Sequence, residues 1–212
     1  MRESDKKIAL VDFDGTLINA DSFKTALLTS VSPSFFFRLL KVLTGNISTI
    51  HKISFSRLKE MLTEAMYSGM STGDFEALCI RISANLNKYD NTSLLDELKG
   101  LKKLGYEVYI VTASPVNWVK PWATKHEFNH VIGTELEVVD KQLTGKFLTQ
   151  NCKGSEKVTR IASEIDIAGY KEVVAYGNSK DDYPMLALAH RPFWVHKNTI
   201  MPWSAPAGSL TA

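Results

Sequence analysis

The hydrophobic positions of the chain follow two alternating patterns, short apolar runs and longer stretches with helical spacing. Residues 8–11, 106–111 and 172–176 are mostly apolar runs of the kind that forms strands buried on both faces of a parallel sheet. The run at 106–111 follows a helical stretch at 92–104 and Gly105, and glycine is common just after a helix end. This order of helix, glycine and strand predicts an α/β fold with a Rossmann-like parallel sheet core.

Residues 18–89 lack strand-like runs, and their apolar residues recur at intervals of three and four. The recurring positions are Phe35, Phe36, Leu39, Leu40 and Leu43, then Leu58, Met61, Leu62, Ala65 and Met66, and later Phe75, Leu78, Cys79 and Ile82. We therefore expect an all-helical insertion at 19–91 in a core formed by residues 1–18 and 92–212. Its apolar stripes either form a core private to the insertion or, at 35–41, an amphipathic edge for a membrane surface or greasy substrate.

The remaining stretches complete an α/β pattern. We expect an amphipathic segment at 116–125, a short strand at 131–133, a hairpin at 136–147 that turns near 140–142, and a last strand at 193–195. A helix at 155–165 has Ser155 as its candidate N-cap, and Asp182 is the candidate cap of a helix that contains Met185, Leu186 and Leu188.

Composition excludes several classes of protein. With 212 residues, 44% of them hydrophobic, the chain can bury a full core, and a net charge of +2 predicts no nucleic-acid partner. The two cysteines, Cys79 and Cys152, indicate free thiols in a cytoplasmic protein. We expect no signal peptide and no bilayer-spanning helix, because Arg38 and Lys41 interrupt the most apolar run. The oligomeric state stays open.

Polar residues that could bind a ligand or take part in catalysis follow the predicted strands. Asp12 and Asp14 come directly after the first strand and two residues apart, followed by Gly15 and Thr16. An extended backbone points residues i and i+2 to the same side. Read alone, the two aspartates are turn formers; read together, they could hold a cation while one of them attacks an electrophile.

The second and third strands also end in polar residues, Thr112 and the stretch from Asn178 to Asp182, and the predicted helix at 155–165 carries Lys157. In a parallel sheet such strand ends meet at one edge. Separately, Thr112 is a strand-end cap, Lys157 a solvated lysine, and Asp181 and Asp182 an N-cap pair. Together they provide what phosphoryl transfer needs: a nucleophile, an acid or base, phosphate ligands, a cation and oxygen ligands for Mg²⁺.

The four motifs, in this order along the chain, resemble the motif set of the haloacid dehalogenase (HAD) superfamily. The helical insertion looks like the C1 cap of the phosphoserine-phosphatase-like branch. The runs NCKGSEKV around Lys157 and YGNSKDDYPML around Asp182 are similar to bacterial HAD subfamily IB hydrolases, which include phosphatidylglycerophosphatase C-type enzymes.

The resemblance implies a role for each motif residue. Asp12 would attack phosphorus, Asp14 would serve as acid and then base, and Lys157 would neutralise charge, with Lys153 as the runner-up lysine. Thr112 and the amide of Ala113 would hold phosphate oxygens, with Asp181 beside them. Mg²⁺ would bind Asp12, the Asp14 carbonyl, Asn178 and Asp182. Many members carry Asp where this chain has Asn178, but an amide oxygen can still ligate Mg²⁺.

Substrate identity is not determined by these motifs. Asp21 sits where phosphoserine-type members keep an acidic residue for the substrate amine, and Arg57 is a candidate partner for a substrate carboxylate. These two residues favour a small zwitterionic phosphate ester, whereas the phenylalanine-rich stretch favours a lipid phosphate.

Two rival functions come from other classes. The stretch His126 to His130 matches His-Glu-x-x-His, a zinc-protease signature that needs both histidines on one helical face and a third ligand. Position 136, where the longer signature requires histidine, is Leu136. The second rival is a catalytically impaired HAD-like binding or scaffold protein, which Asn178 mildly favours.

Overall fold

The computed structural model describes residues 5–45 and 55–206. The strands are β1 (Lys7–Val11), β2 (Tyr106–Pro115), β3 (His130–Thr134), β4 (Leu136–Val139), β5 (Gln142–Phe147), β6 (Glu172–Gly177), β7 (Arg191–His196) and β8 (Thr199–Pro202). The helices are α1 (Ser22–Ser30), α2 (Pro33–Gly45), α3 (Phe55–Tyr67), α4 (Thr72–Leu86), α5 (Thr92–Lys103), α6 (Val116–Lys125), α7 (Ser155–Glu164) and α8 (Tyr183–Leu186).

Six strands form one sheet in the order β3-β2-β1-β6-β7-β8, and all neighbours except β7 and β8 run parallel. The predicted α/β class is therefore confirmed. The register pairs Val11 with Ile110 on one side and with Tyr176 on the other. The polar residues after β1 and β6, and the polar end of β2 from Thr112, which continues beyond the expected strand end at 111, consequently lie side by side at one edge of the sheet.

Each face of the sheet is covered by apolar packing. On β1, Ala9 and Val11 join a cluster with α5, α6 and the helices before them, whereas Ile8 and Leu10 join a second cluster with α7 and α8. All four side chains are fully buried. Burial on both faces explains why β1 is apolar at every position from 8 to 11.

Helices α1 to α4 form the expected helical block, and the division into core and cap stays a prediction. Helix α4 packs against α6, and Phe75, Leu78 and Ile82 belong to the same apolar cluster as Trp118 and Trp122. The core of the block is therefore shared with the sheet and is not private to the block.

The phenylalanine-rich helix α2 has two kinds of apolar residue. Phe35 is buried, whereas Phe36, Phe37 and Leu40 are 60%, 76% and 61% exposed. Packing in the core thus explains why position 35 is apolar, but it does not explain the exposed apolar edge formed by Phe36, Phe37 and Leu40. No helix in the described ranges is both long and apolar enough to cross a membrane.

The predicted hairpin at 136–147 is confirmed as β4 and β5. Its turn residues, Asp140 and Lys141, both have positive φ, as the mirror-image turns of tight hairpins require. The hairpin docks on the helical block, because Leu143 exchanges backbone hydrogen bonds with Gly69 and Met70.

Three local predictions are wrong. The strand expected at 193–195 is β7, but it is not the last strand, because β8 follows it. Strand β8 is a short edge strand that ends in Pro202, and its sequence has no periodic pattern that would have predicted it. Gly154, and not Ser155, occupies the N-cap position of α7. Helix α8 ends at Leu186, before Leu188; Asp182 does occupy its N-cap position, although the side chain makes no cap hydrogen bond.

The thiols of Cys79 and Cys152 should react slowly in the native protein. Both are free and buried, and burial raises the pKa of Cys79 to about 12 and that of Cys152 to about 11. Because only the thiolate reacts, we expect labelling by an aromatic disulfide reagent at about pH 8 to be roughly 100-fold slower than in guanidinium chloride. Equal rates in the two conditions would contradict this burial.

Candidate active site

The centre of the polar edge is a buried cation between two carboxylates. Lys157 of α7 points its Nζ atom to Asp12 Oδ1 and Asp182 Oδ1, each at 2.6 Å, and donates to the Val111 carbonyl at 2.9 Å. All three charged residues are buried. The second oxygen of Asp12 accepts a hydrogen bond from Thr16 at 3.0 Å.

Burial and the neighbouring charges have opposing effects on the pKa values of Asp12 and Lys157. Burial raises the pKa of Asp12 to about 7, with a further rise from Asp182 and an opposing effect of Lys157. Burial alone would lower the pKa of Lys157, but the charges of Asp12 and Asp182 reverse this effect, and the net shift is upward. Lys157 is therefore a permanent cation.

Asp14 is held by a different set of partners. Its Oδ1 accepts the backbone N–H of Ser22, and its Oδ2 accepts the Ser114 hydroxyl at 2.6 Å. Burial raises the pKa of Asp14, and these hydrogen bonds reduce the rise. The two aspartates after β1 thus have separate environments, one beside a cation and one beside neutral donors.

The loop after β6 is ordered by Asp182. Its Oδ2 accepts from the backbone N–H of Asn178 and from both N–H and hydroxyl of Ser179, at 2.9 to 3.1 Å. The Asn178 side chain lies against Gly15, where an added Cβ would be 2.0 Å from Nδ2, and Gly15 also has a φ of +78°. Glycine at position 15 therefore lets Asn178 approach the first motif.

A cleft of about 190 Å³ opens over these residues. Its lining residues are Asp12, Asp14, Asp21, Lys59, Ala113, Lys153, Lys157, Asn178, Ser179, Asp181 and Asp182. Most of the predicted site residues are therefore brought together. Lys153 is half exposed and pairs with Asp181 at 3.3 Å, so of the two candidate lysines only Lys157 is buried against Asp12.

Two predicted residues are placed differently. Arg57 does not line this cleft; it pairs with Glu60 at 2.8 Å and borders a separate cleft beside β5. Thr112 is buried beneath the cleft, and its hydroxyl accepts the N–H of Ser114 at 3.0 Å. A hydroxyl that accepts one hydrogen bond still has its own hydrogen to donate.

The oxygen donors at this edge fit Mg²⁺. The described residues include no cluster of three or more His, Cys, Asp or Glu side chains with a metal-binding arrangement, so an ion here would also need amide or carbonyl oxygens. Asp12, the Asp14 carbonyl and Asn178 are such donors. Asp182 Oδ2 already accepts three hydrogen bonds and its Oδ1 accepts from Lys157, so it would act indirectly, whereas each Asp12 oxygen accepts one. Asp12, Asp14 and Asp182 outnumber Lys157 at this edge, so a divalent cation would balance the excess negative charge of their ionised forms.

The His-Glu-x-x-His stretch does not form a zinc site. His126 is the C-cap residue of α6, and Glu127 has a φ of +62°. His130 lies in β3 and stacks on Tyr109, and His126 lies 3.1 Å from Asp90. The two histidines are therefore not on one helical face, as that signature requires.

Three residues at the site were not predicted. Ser114 lies two positions after Thr112 in β2, so period-two spacing was a usable signal for it. Lys59 lies on the cleft side of α3, two positions from Arg57. The backbone N–H of Ser22 donates to Asp14 in the folded protein, and no sequence pattern predicted this contact.

Comparisons with known proteins find relatives that are similar in sequence or in fold. Protein CicA from Caulobacter vibrioides is 29% identical over 183 residues, which are 84% of this chain and 81% of CicA. A crystal structure of a Bordetella pertussis Tohama I protein with unknown function has a TM-score of 0.70 at 21% identity, covering 89% of each chain. A phospho-aspartyl intermediate analogue of phosphoserine phosphatase has a TM-score of 0.52 at 22% identity, covering 89% of this chain and 85% of that one.

The structural likenesses confirm the phosphoserine-phosphatase-like fold. The family model described as haloacid dehalogenase-like hydrolase matches residues 9–187. That range includes all four motifs and most of the chain, which therefore belongs to the haloacid dehalogenase-like hydrolase family.

Proposed function

We propose that this protein is a Mg²⁺-dependent phosphomonoester hydrolase that acts through an aspartyl-phosphate at Asp12. The observation that carries the proposal is the position of Lys157 Nζ, 2.6 Å from both Asp12 and Asp182. A buried cation at the nucleophile is what a reaction between a carboxylate and a phosphate dianion requires, because it offsets their repulsion. The phospho-aspartyl analogue of the structurally similar phosphoserine phosphatase is consistent with this chemistry.

In the first step, an Asp12 oxygen attacks phosphorus while the bond from phosphorus to the ester oxygen breaks. The leaving oxygen takes a proton from Asp14. Lys157 balances the charge on Asp12, and Thr112 and the Ala113 amide hold the phosphate oxygens. In the second step, a water oxygen attacks phosphorus, Asp14 takes the water's proton, and the bond from phosphorus to Asp12 breaks.

Asp12, the Asp14 carbonyl and Asn178 would hold Mg²⁺, which when bound supplies positive charge for the transferring phosphoryl group.

The small cleft and its charges favour a small phosphate ester. Asp21 and Asp181 provide negative charge, and Lys59 and Lys153 provide positive charge around a volume of about 190 Å³. Ligands with both charges, such as a phosphorylated amino acid, suit this lining. A lipid phosphate is the second candidate, supported by the exposed side chains of Phe36, Phe37 and Leu40.

A substrate panel tests the proposal. Purified protein should hydrolyse 4-nitrophenyl phosphate with Mg²⁺ and lose this activity in EDTA. Phosphoserine, sugar phosphates and lysophospholipid phosphates would then identify the substrate class, and flotation with anionic vesicles would test for membrane contact. No hydrolysis of any ester would overturn the proposal in favour of a scaffold protein.

The Asn178→Asp variant should keep or strengthen Mg²⁺ dependence. The change restores a carboxylate where the structure has an amide, so it adds negative charge beside the proposed ion. We expect an equal or several-fold lower Mg²⁺ concentration for half-maximal activity, measured by metal titration of 4-nitrophenyl phosphate hydrolysis. Loss of metal-dependent activity in a folded variant would show that the fourth motif is not at the metal.

A further inference from the structure

We propose that Ser114, Ser22 and Trp118 form a relay, a chain of side-chain hydrogen bonds that positions Asp14 for proton transfer. The inference rests on the proposed function, because it concerns the proposed acid. Trp118 Nε1 lies 3.1 Å from Ser22 Oγ, Ser22 Oγ lies 2.8 Å from Ser114 Oγ, and Ser114 Oγ lies 2.6 Å from Asp14 Oδ2.

The direction of the relay is fixed by the chemistry of its two ends. The Trp118 indole can only donate, and Asp14 accepts at Oδ2, both when it is ionised and when it holds the proton that it gives to the ester oxygen. Ser22 therefore accepts from Trp118 and donates to Ser114, which donates to Asp14. Each hydroxyl accepts one hydrogen bond and donates its own hydrogen to one acceptor, so neither can rotate without losing a hydrogen bond in a buried site.

Because these hydrogen bonds are buried, they are costly to break and restrict the orientation of the Asp14 carboxylate. Trp118 and Ser22 are fully buried, and Ser114 is 2% exposed. A polar group that loses its partner in such a place is costly. The backbone N–H of Ser22 also donates to Asp14 Oδ1, so Ser22 constrains both carboxylate oxygens, one directly and one through Ser114.

The relay also links Asp14 to the helical block. Ser22 is the first residue of α1, Ser114 lies in β2, and Trp118 lies in α6. The Trp118 ring packs near the rings of Phe23 and Tyr67, with centroids 6.5 and 6.4 Å away. Side chains of the helical block thereby hold the indole that starts the relay.

This arrangement explains how the carboxylate of Asp14 can keep one orientation at the cleft. A carboxylate has about four acceptor positions, and the two donors, Ser22 N–H and Ser114 hydroxyl, use two of them. The remaining positions can face the ester oxygen. Ser22, Ser114 and Trp118 are therefore positioning residues, which act through Asp14 and do not touch the substrate.

A pair of esters with different leaving groups tests the relay. Benzyl phosphate and 4-nitrophenyl phosphate are similar in size, but the benzyl alkoxide needs a proton from Asp14 whereas nitrophenolate can leave without one. The comparison uses kcat/KM, which covers the steps up to release of the leaving group. For Ser114→Ala and Ser22→Ala we expect losses of about 30-fold with benzyl phosphate and about threefold or less with 4-nitrophenyl phosphate.

Controls separate this role from a structural one. Ser114→Thr keeps the hydroxyl and should restore most of the benzyl phosphate activity, and Trp118→Phe should show the same selective loss as Ser22→Ala. Ser83→Ala makes the same chemical change at another buried serine, in α4, and should affect neither ester selectively. Thermal melts identify any variant that fails to fold. In that case the comparison of Ser114→Ala with Ser114→Thr decides whether the relay acts on Asp14.

Equal losses for both esters, or no loss for either, would overturn the relay while leaving the proposed hydrolase intact. A wild-type protein inactive towards both esters would instead overturn the proposed function and this inference with it.

Discussion

Replacing Asp12 with Asn is expected to lower phosphatase activity by roughly 10⁴-fold or more, since an amide cannot form the phosphoryl bond. The change keeps the shape of the side chain and leaves Lys157 paired with Asp182. The loss should therefore appear in the chemical step and not in folding. Hydrolysis of 4-nitrophenyl phosphate by Asp12→Asn and wild-type protein measures it directly.

The stability of Asp12→Asn, unlike its activity, should not fall below that of the wild type. Burial raises the pKa of Asp12 to about 7, so its ionisation opposes folding, and this cost grows as the pH rises from about 4 through 7. A neutral Asn removes the cost. In EDTA at about pH 8, the unfolding midpoint of Asp12→Asn should be equal to or above that of the wild type. A large decrease would mean that the activity loss reflects misfolding.

Covalent labelling locates the nucleophile. With a radiolabelled phosphate ester and acid quench, label should appear on wild-type protein and be absent from Asp12→Asn. Asp14→Asn should accumulate label from 4-nitrophenyl phosphate, because it lacks the base for hydrolysis of the aspartyl-phosphate. Asp166→Asn, a change at an exposed carboxylate away from the cleft, should behave as wild type. Hydrolysis without any label on the protein would sink the covalent mechanism.

The sequence was sufficient to predict the sheet edge because its signals are local. Asp12 and Asn178 each follow an apolar strand, Thr112 follows the apolar part of β2, and parallel strands present such residues at the same edge. The observed register of β1 with β2 and β6 brings these positions together. Lys157 was recognised by its place in the motif order, and its burial between two carboxylates was not visible in the sequence.

Predictions that depended on helix rotation or distant contacts were less successful. Arg57 and Lys59 are two positions apart in α3, which corresponds to roughly 200° of rotation, and only Lys59 faces the cleft. Ser22 and Trp118 meet across 96 residues of sequence. Such contacts follow from how α1 and α6 pack, which periodicity alone does not determine.

Replacing Lys157 with Met is expected to cost both stability and activity, because it leaves Asp12 and Asp182 buried without their cation. Removing one partner of a buried ion pair typically costs about 3–5 kcal/mol of unfolding free energy. The Val111 carbonyl loses its donor as well. Without the cation that offsets the charge of nucleophile and phosphate, kcat should fall by roughly 10³-fold. Urea unfolding and steady-state kinetics measure the two effects.

Lys153→Met is the matched control, since the same change is made at a half-exposed lysine whose partner is Asp181. An exposed pair contributes less than about 1 kcal/mol, so this variant should stay close to wild type in stability. The stability deficit of Lys157→Met should also shrink as the pH falls from about 8 to about 5, because protonation of Asp12, whose pKa Lys157 normally lowers, removes one of the unpaired charges. If instead Lys153→Met lost the activity and Lys157→Met kept it, the buried lysine would be structural and the exposed one would act on the phosphate.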